Sequence, residues 1–209
     1  MIIAGAGGHG LEVRSCLISM GFSSSDIYFF DQDKTKKESF VFSENIIVDE
    51  KELAERLKND PRFTLGVGNP EFRKKLFDFF IDLGGLFVPL TGDHIVNQNE
   101  LEKSFDALSF AFVGPITKIG KGVLINTRAN VHHECQIGEF SEIGPGAILL
   151  GNVKIGKNCR IGAGAVLLPG IQIGNNVIVG AGSVVTKNFP DQVKLIGVPA
   201  IPFEIEKAE

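Results

Sequence analysis

Two short stretches carry residue types that do chemistry. The first is Asn130-Val131-His132-His133-Glu134-Cys135. A histidine beside a carboxylate suits general-base work, because imidazole exchanges protons near neutral pH and the carboxylate fixes its tautomer and strengthens it as a base. Adjacent histidines with a thiol also raise the question of zinc. The second stretch is Gly5-Ala6-Gly7-Gly8-His9-Gly10. It satisfies G-x-G-x-x-G, and Asp31 follows at about the twenty-residue spacing of a dinucleotide fingerprint. Glycines there let a phosphate approach the backbone, and a helix start behind them offers N–H groups to it.

The elements that hold the first stretch follow from a repeat. Every sixth residue from Ile95 is aliphatic: Ile95, Leu101, Ala107, Val113, Ile119, Ile125, Val131, Ile137, Ile143, Leu149, Ile155, Ile161, Leu167, Ile173, Val179 and Val185. Glycine often comes next, as at Gly114, Gly120, Gly138, Gly144, Gly156, Gly162, Gly174 and Gly180. The fifth residue of each hexad is small or medium, as at Val123, Ala129, Cys135, Ser141, Ala147, Cys159 and Ala165. A period of six is neither helical nor that of a plain strand. It predicts a β-coil with three flat faces and eighteen residues per turn, the aliphatic and fifth residues pointing inward. The glycines are expected at the corners, where φ is positive. Cys135 and Cys159 then lie in the core, whereas His132 and His133 sit near a corner. The side chains diverge, so neither a metal site nor a disulfide is expected.

The second stretch sits in a different setting. Met1–Ala4, Ile27–Phe30 and Phe63–Val67 read as strands, Leu11–Met20, Glu50–Lys58 and Glu71–Leu83 as helices, and 87–90 closes the segment. Alternating strands and helices imply a parallel sheet. The expected architecture is a Rossmann-like α/β domain over 1–90, then an all-β coil with a C-terminal tail over 91–209. About ninety residues hold one mononucleotide-binding half, so a nucleoside diphosphate suits the glycine turn better than NAD does.

Bulk properties narrow the classes. The 209 residues are 44% hydrophobic with a net charge of -4, enough for a core and unlike the basic surface that nucleic acid needs. No apolar run reaches the ~20 residues of a membrane helix. The first residues lack a signal-peptide pattern, and three cysteines fit a reducing cytoplasm.

The hexapeptide pattern resembles that of the bacterial hexapeptide-repeat acyltransferases. That resemblance implies a left-handed parallel β-helix, a homotrimer and acetyl-CoA as co-substrate. One branch is closer still, on Asn126-Thr127, His133-Glu134-Cys135-Gln136-Ile137-Gly138-Glu139-Phe140, Gly151–Gly156, the Gly5–Gly10 turn, Phe30-Asp31 and Gly66-Val67-Gly68-Asn69 with Arg73. It contains the sialic-acid O-acetyltransferase-like proteins and the UDP-4-amino-sugar N-acetyltransferases. The resemblance implies that His133 is the general base, that Glu134 raises its basicity, and that the Gly151 N–H binds the thioester oxygen. It places Ala163 and Ala181 along the pantetheine of coenzyme A, and Gly7, Gly8, His9, Asp31, Gln32 and Gly68 at a nucleotide sugar. Three positions depart from the pattern. Glu142 replaces a histidine that contacts acetyl-CoA, Gln32 replaces a second aspartate, and Ile201 replaces a basic residue whose phosphate contact Lys187 could supply. The expected activity is direct acetyl transfer to a nucleotide-linked 4-amino-4,6-dideoxy sugar. The alternatives are O-acetylation of sialic acid or another sugar, and a non-catalytic nucleotide-sugar-binding accessory protein.

Overall fold

The computed structural model describes residues 1–97 and 104–203. Leu101 of the six-residue series and the tail after 203 lie outside the described residues. The chain divides into two compact units, Met1–Gly92 and Asp93–Glu209.

The first unit is a five-stranded, all-parallel sheet in the order β3-β2-β1-β4-β5. Its elements are β1 (Ile2–Ala4), α1 (Gly8–Ser19), β2 (Tyr28–Phe30), α2 (Lys36–Ser39), β3 (Ile46–Ile47), α3 (Glu50–Asn59), β4 (Arg62–Leu65), α4 (Pro70–Asp82) and β5 (Leu86–Phe87). All three residues of β1 are buried, as a central parallel strand covered on both faces requires. Asn69 and Asp49 cap the helices behind them: each side chain accepts from two amides of the first turn. Two features depart from the sequence reading. Helix α1 starts at Gly8, three residues before the apolar periodicity begins at Leu11, because its glycine-rich first turn buries no apolar stripe. Strand β3 pairs Ile46 and Ile47 with Phe29 and Phe30 and is too short to show an alternation. The strand order reverses between β1 and β4, and the loops leaving those strands are Gly5–Gly7 and 66–69. This is the switch point at which open α/β sheets receive ligands.

The second unit is a coil of short strands in three sheets, parallel except where Ile201–Pro202 turns back antiparallel on Lys194–Ile196. Face one runs from Val96–Asn97 and Phe112–Val113 to Val184–Val185. Face two runs from Lys118–Ile119 to Gln172–Ile173, and face three from Asp106–Ala107 to Lys194–Ile196. Strand partners are eighteen residues apart through the body of the coil, as in Asn130↔Ile148 and Gln136↔Lys154, and sixteen apart at its two ends, as in Val96↔Phe112 and Ile178↔Lys194. The core is the six-residue series with the fifth residues beside it: Val131, Ile143, Leu149, Ile161, Cys135, Ala147 and Cys159 are all fully buried.

The corners correct one expectation. Positive φ falls on the fourth residue of the hexad, without interruption from Ile116 through Gly122, Arg128, Glu134, Phe140, Gly146, Asn152, Asn158, Gly164, Gly170 and Asn176 to Gly182. The glycines that follow the aliphatic residue have no positive φ. They are there for contact. A Cβ on Gly138 would lie 2.5 Å from the backbone carbon of Gly156, and one on Gly156 equally close to that of Gly174. Coils stacked at strand spacing, about 4.8 Å, leave no room for a methyl there.

Candidate active site

His133 follows strand Asn130–Val131 at the edge between faces one and two. It is the third residue of its hexad, and Glu134 is the fourth, in the left-handed conformation with φ 61°. That turn brings the two side chains together: His133 Nδ1 lies 2.9 Å from a Glu134 carboxylate oxygen, and both side chains are more than half exposed. In the tautomer that donates Nδ1–H to Glu134, Nε2 holds the lone pair a base needs. The ring rests on Gly151 of the next coil, where a Cβ would fall 2.6 Å from Nε2 and 2.5 Å from Cε1. Cys135 points the other way. It is fully buried, its Sγ donates to the Leu150 carbonyl, and burial pushes its thiol up. The two histidines and this thiol therefore do not converge.

Gly151, Ala163 and Ala181 share one structural position, the third of the hexad. The ladder does not use this amide. At the edge between faces two and three, a side chain from the next coil takes it: Lys157 N donates to Asn175 Oδ1 at 2.8 Å, and Asn175 N to Asp191 Oδ1 at 2.9 Å. Among the described residues the amides of Gly151, Ala163 and Ala181 have no such cap, and Ala163 and Ala181 are exposed residues. Gly151 stacks above His133, whereas Ala163 and Ala181 lie at a different edge, between faces three and one. Lys187 is three coils beyond His133 on the His133 edge, its Nζ 5.5 Å from the Phe189 ring centre.

Glu142 lies on face three and is 6% exposed. It is paired in register with Arg160 of the next coil, whose Nε lies 2.9 Å from its carboxylate. The sequence reading missed Arg160; opposite charges eighteen residues apart on one face were the available signal.

In the first unit the glycines divide by role. Gly5 takes φ +113°, and a Cβ on Gly10 or Gly66 would fall 2.5 Å from the Gly5 carbonyl oxygen. These three set the turn and its packing. Gly7 and Gly8 are exposed, with open space where a Cβ would stand, so they are the pair a ligand can approach. His9 lies in the first turn of α1, its Nδ1 3.0 Å from Glu12. Asp31 is turned inward. It accepts from Ala6 N at 3.0 Å, Lys36 Nζ at 2.6 Å and Asp33 N at 3.0 Å, and so braces the glycine turn. Lys36, unnoticed in the sequence, also donates to the Ala6 carbonyl. Buried Arg73 holds the loop beside Gly68 by donating to the Val67 carbonyl at 3.0 Å. A cavity of about 420 Å³ opens at the switch point, lined by Gly5, Phe30, Asp31, Gln32, Val67 and Phe72. A second of about 370 Å³ is lined by Gln32, Lys34 and Asp49, so Gln32 borders both.

Residues 1–80 match the family described as the PglD N-terminal domain, and 116–151 and 152–187 match the bacterial transferase hexapeptide repeats. The acetyltransferase domain of PglB from Neisseria gonorrhoeae, in complex with acetyl coenzyme A, is 31% identical over 97% of this chain and 98% of that one, with a TM-score of 0.80. The chain belongs to the PglD-like hexapeptide-repeat acyltransferases. A mutant of GDP-perosamine N-acetyltransferase from Caulobacter crescentus, in complex with CoA and GDP-perosamine, is 29% identical over 98% of this chain and 96% of that one, TM-score 0.84. WeeI from Acinetobacter baumannii is 26% identical over 97% and 98%, TM-score 0.87. This PglD-like protein is accordingly an acetyltransferase that uses acetyl-CoA, and its coil is a left-handed parallel β-helix. No helix among the described residues is long and apolar enough to cross a membrane.

Proposed function

We propose that this acetyltransferase N-acetylates a nucleotide-linked 4-amino-4,6-dideoxy sugar by direct transfer from acetyl-CoA. The observation that carries the reading is the His133–Glu134 pair at 2.9 Å with its imidazole laid on Gly151. The sugar amine, as the free base, attacks the thioester carbonyl carbon and a C–N bond forms. His133 Nε2 takes the proton released from nitrogen. The uncapped Gly151 amide donates to the oxyanion as it develops. The C–S bond then breaks, and the proton on His133 passes to the departing thiolate sulfur. No acyl-enzyme forms, because Cys135, the thiol next to the pair, is buried with its proton held. Ala163 and Ala181 expose amides along which the pantetheine chain lies, and Glu142 marks the thioester end.

The nucleotide binds over Gly7, Gly8 and His9, with Gln32 and Gly68 bordering it and Asp31 holding the turn. The complex of the Caulobacter relative with GDP-perosamine supports an acceptor of this class. Three copies of the chain form the working assembly. The outward row of face one is Phe112, Asn130, Ile148, Val166 and Val184, partly exposed and apolar but for Asn130. The same row on face two is Lys118, Gln136, Lys154 and Gln172. Face one therefore suits a neighbouring coil, and face two suits water.

The test is thiol release from acetyl-CoA with UDP-, GDP- and dTDP-linked 4-amino-4,6-dideoxy sugars and free sialic acid. General-base catalysis contributes ~10²–10⁴-fold, so His133→Ala should lose at least ~100-fold in kcat with an unchanged circular dichroism spectrum. A loss under about tenfold would remove His133 from this role. Release with sialic acid alone would replace the N-acetyl reading by O-acetylation.

A further inference from the structure

The two sides of the His133–Glu134 pair differ. One coil later stands Gly151, with an amide N–H that the ladder does not use. One coil earlier stand Pro115 and Ile116, both exposed. The Glu134 amide donates to the Pro115 carbonyl at 3.1 Å, so the Pro115–Ile116 peptide lies directly against the pair. That side offers no N–H at the position of Gly151, because proline has none. Ile116 is the anomaly. It heads a column of corner residues, Ile116, Glu134, Asn152 and Gly170, with φ of 63°, 61°, 58° and 73°. Glycine and asparagine tolerate that conformation, whereas a β-branched side chain is strained in it. Among the described residues Ile116 is the one β-branched residue at positive φ. The phenylalanines that share the conformation have internal roles: Phe140 is buried, and Phe110 stacks on His94 with ring centres 5.1 Å apart. Ile116 is 72% exposed and fills no core. Strained dihedrals of this kind cluster where a side chain meets a ligand.

Resting on the acetyl-transfer reading above, we propose that Ile116, seated beside Pro115, is a specificity-determining residue that packs against the C6 methyl of a 6-deoxy acceptor and disfavours a sugar with a hydroxyl at C6. In that reading the thioester oxygen takes the Gly151 amide, and the pantetheine chain lies along Ala163 and Ala181, all in coils after His133. The acceptor reaches His133 from the remaining direction, that of the earlier coil. With its amine at His133, C6 is three bonds away, and the earlier coil is one strand spacing away, about 4.8 Å. A methyl there gains contact with an apolar wall. A hydroxyl would lose water without finding a donor or acceptor in the isoleucine side chain or an N–H in the proline.

The test is thiol release from acetyl-CoA with two acceptors that carry the same nucleotide and differ only at C6, a 4-amino-4,6-dideoxy sugar and its 6-hydroxy counterpart. The proteins are the wild type, Ile116→Val and Ile116→Asn, the last being the residue the fold itself uses at Asn152. The wild type should prefer the 6-deoxy acceptor by roughly ten- to hundredfold in kcat/KM, the range an apolar pocket gives. Ile116→Val should keep most of that preference. Ile116→Asn should bring the two acceptors within about threefold, with the KM for acetyl-CoA unchanged. Its melting temperature should equal or exceed that of the wild type, because asparagine relieves the dihedral. A residue that merely supported the fold would lose stability instead. An unchanged preference in Ile116→Asn would overturn the inference. So would loss of the trimer in light scattering with an equal fall for both acceptors, since Ile116 would then face a neighbouring copy. A wild type that uses both acceptors alike would overturn it and leave acetyl transfer to an amino sugar standing. No release from the wild type with any nucleotide-linked amino sugar would overturn both readings.

Discussion

At Gly151 a missing side chain makes room for a catalytic one. The His133 ring occupies the volume a Cβ would take, 2.6 Å from Nε2. The exposed imidazole is free to swing aside, so Gly151→Ala should change the melting temperature little. It should lower kcat by ~10²-fold, the scale of misplacing a general base and an oxyanion donor together. Stopped-flow thiol release beside a thermal melt separates the two effects. Asp31 supports a different residue-scale prediction. Burial would raise its pKa, but the Lys36 ammonium and the amides of Asp33 and Ala6 outweigh burial and hold it below the ordinary 3.8. A depressed carboxylate stabilises the fold above its unfolded pKa, and that contribution disappears as pH falls through the folded value. Lys36→Met should therefore cost ~1–2 kcal/mol at pH 7, and the difference from wild type should shrink below about pH 4. Urea titrations at pH 7 and pH 3.5 measure it; an undiminished difference at the lower pH would argue that Lys36 acts through packing alone.

At the scale of the element, glycine has two separate uses in one hexad. Gly156 faces the backbone of the next coil with no space for a methyl, whereas Gly164 has φ +64° and open space around it. Gly156→Ala should pry two coils apart and cost upward of ~3 kcal/mol, beyond the ordinary range for overpacking. Gly164→Ala pays for the left-handed dihedral alone, ~1–2 kcal/mol. Chemical denaturation of both variants gives the order, and equal losses would contradict the distinction. The sequence reading saw the period and so named the inward residues correctly. It assigned the glycines after the aliphatic position to the corners, because a letter does not say whether a glycine is needed for its dihedral or its bareness. The corner residues themselves include Ile116, Arg128, Glu134 and Phe140, which no turn propensity would select. The His133–Glu134 pair was legible because its members are adjacent. Arg160 and Lys36 were not, since each acts through a partner brought near by the coil or the sheet. The strand order β3-β2-β1-β4-β5 was equally hidden, a two-residue β3 being below any periodicity.

For the whole molecule, assembly and activity are expected to fall together. A single coil presents His133 and Gly151 at one edge and Ala163 and Ala181 at another. In the proposed trimer a neighbouring copy supplies the second wall. Val166→Glu places a charge in the middle of the apolar row of face one without touching the His133 edge. Light scattering should shift from three chains toward one, and thiol release should fall with it. A fully active monomer would refute the shared site.

The repeat has a further consequence. Because each turn in the body of the coil adds eighteen residues and one strand spacing, about 4.8 Å, the number of turns between two outward side chains is a length measured in the chain itself. His133 and Lys187 are three turns apart on one edge, a span of about 14 Å by that spacing. Excising one complete turn between Gly151 and Lys187 would rejoin each face in register, keep every inward residue inward, and shorten the span by one division. The coil is thus a ruler, and its length along the His133 edge can be edited in whole units without redesigning the chemistry at its end.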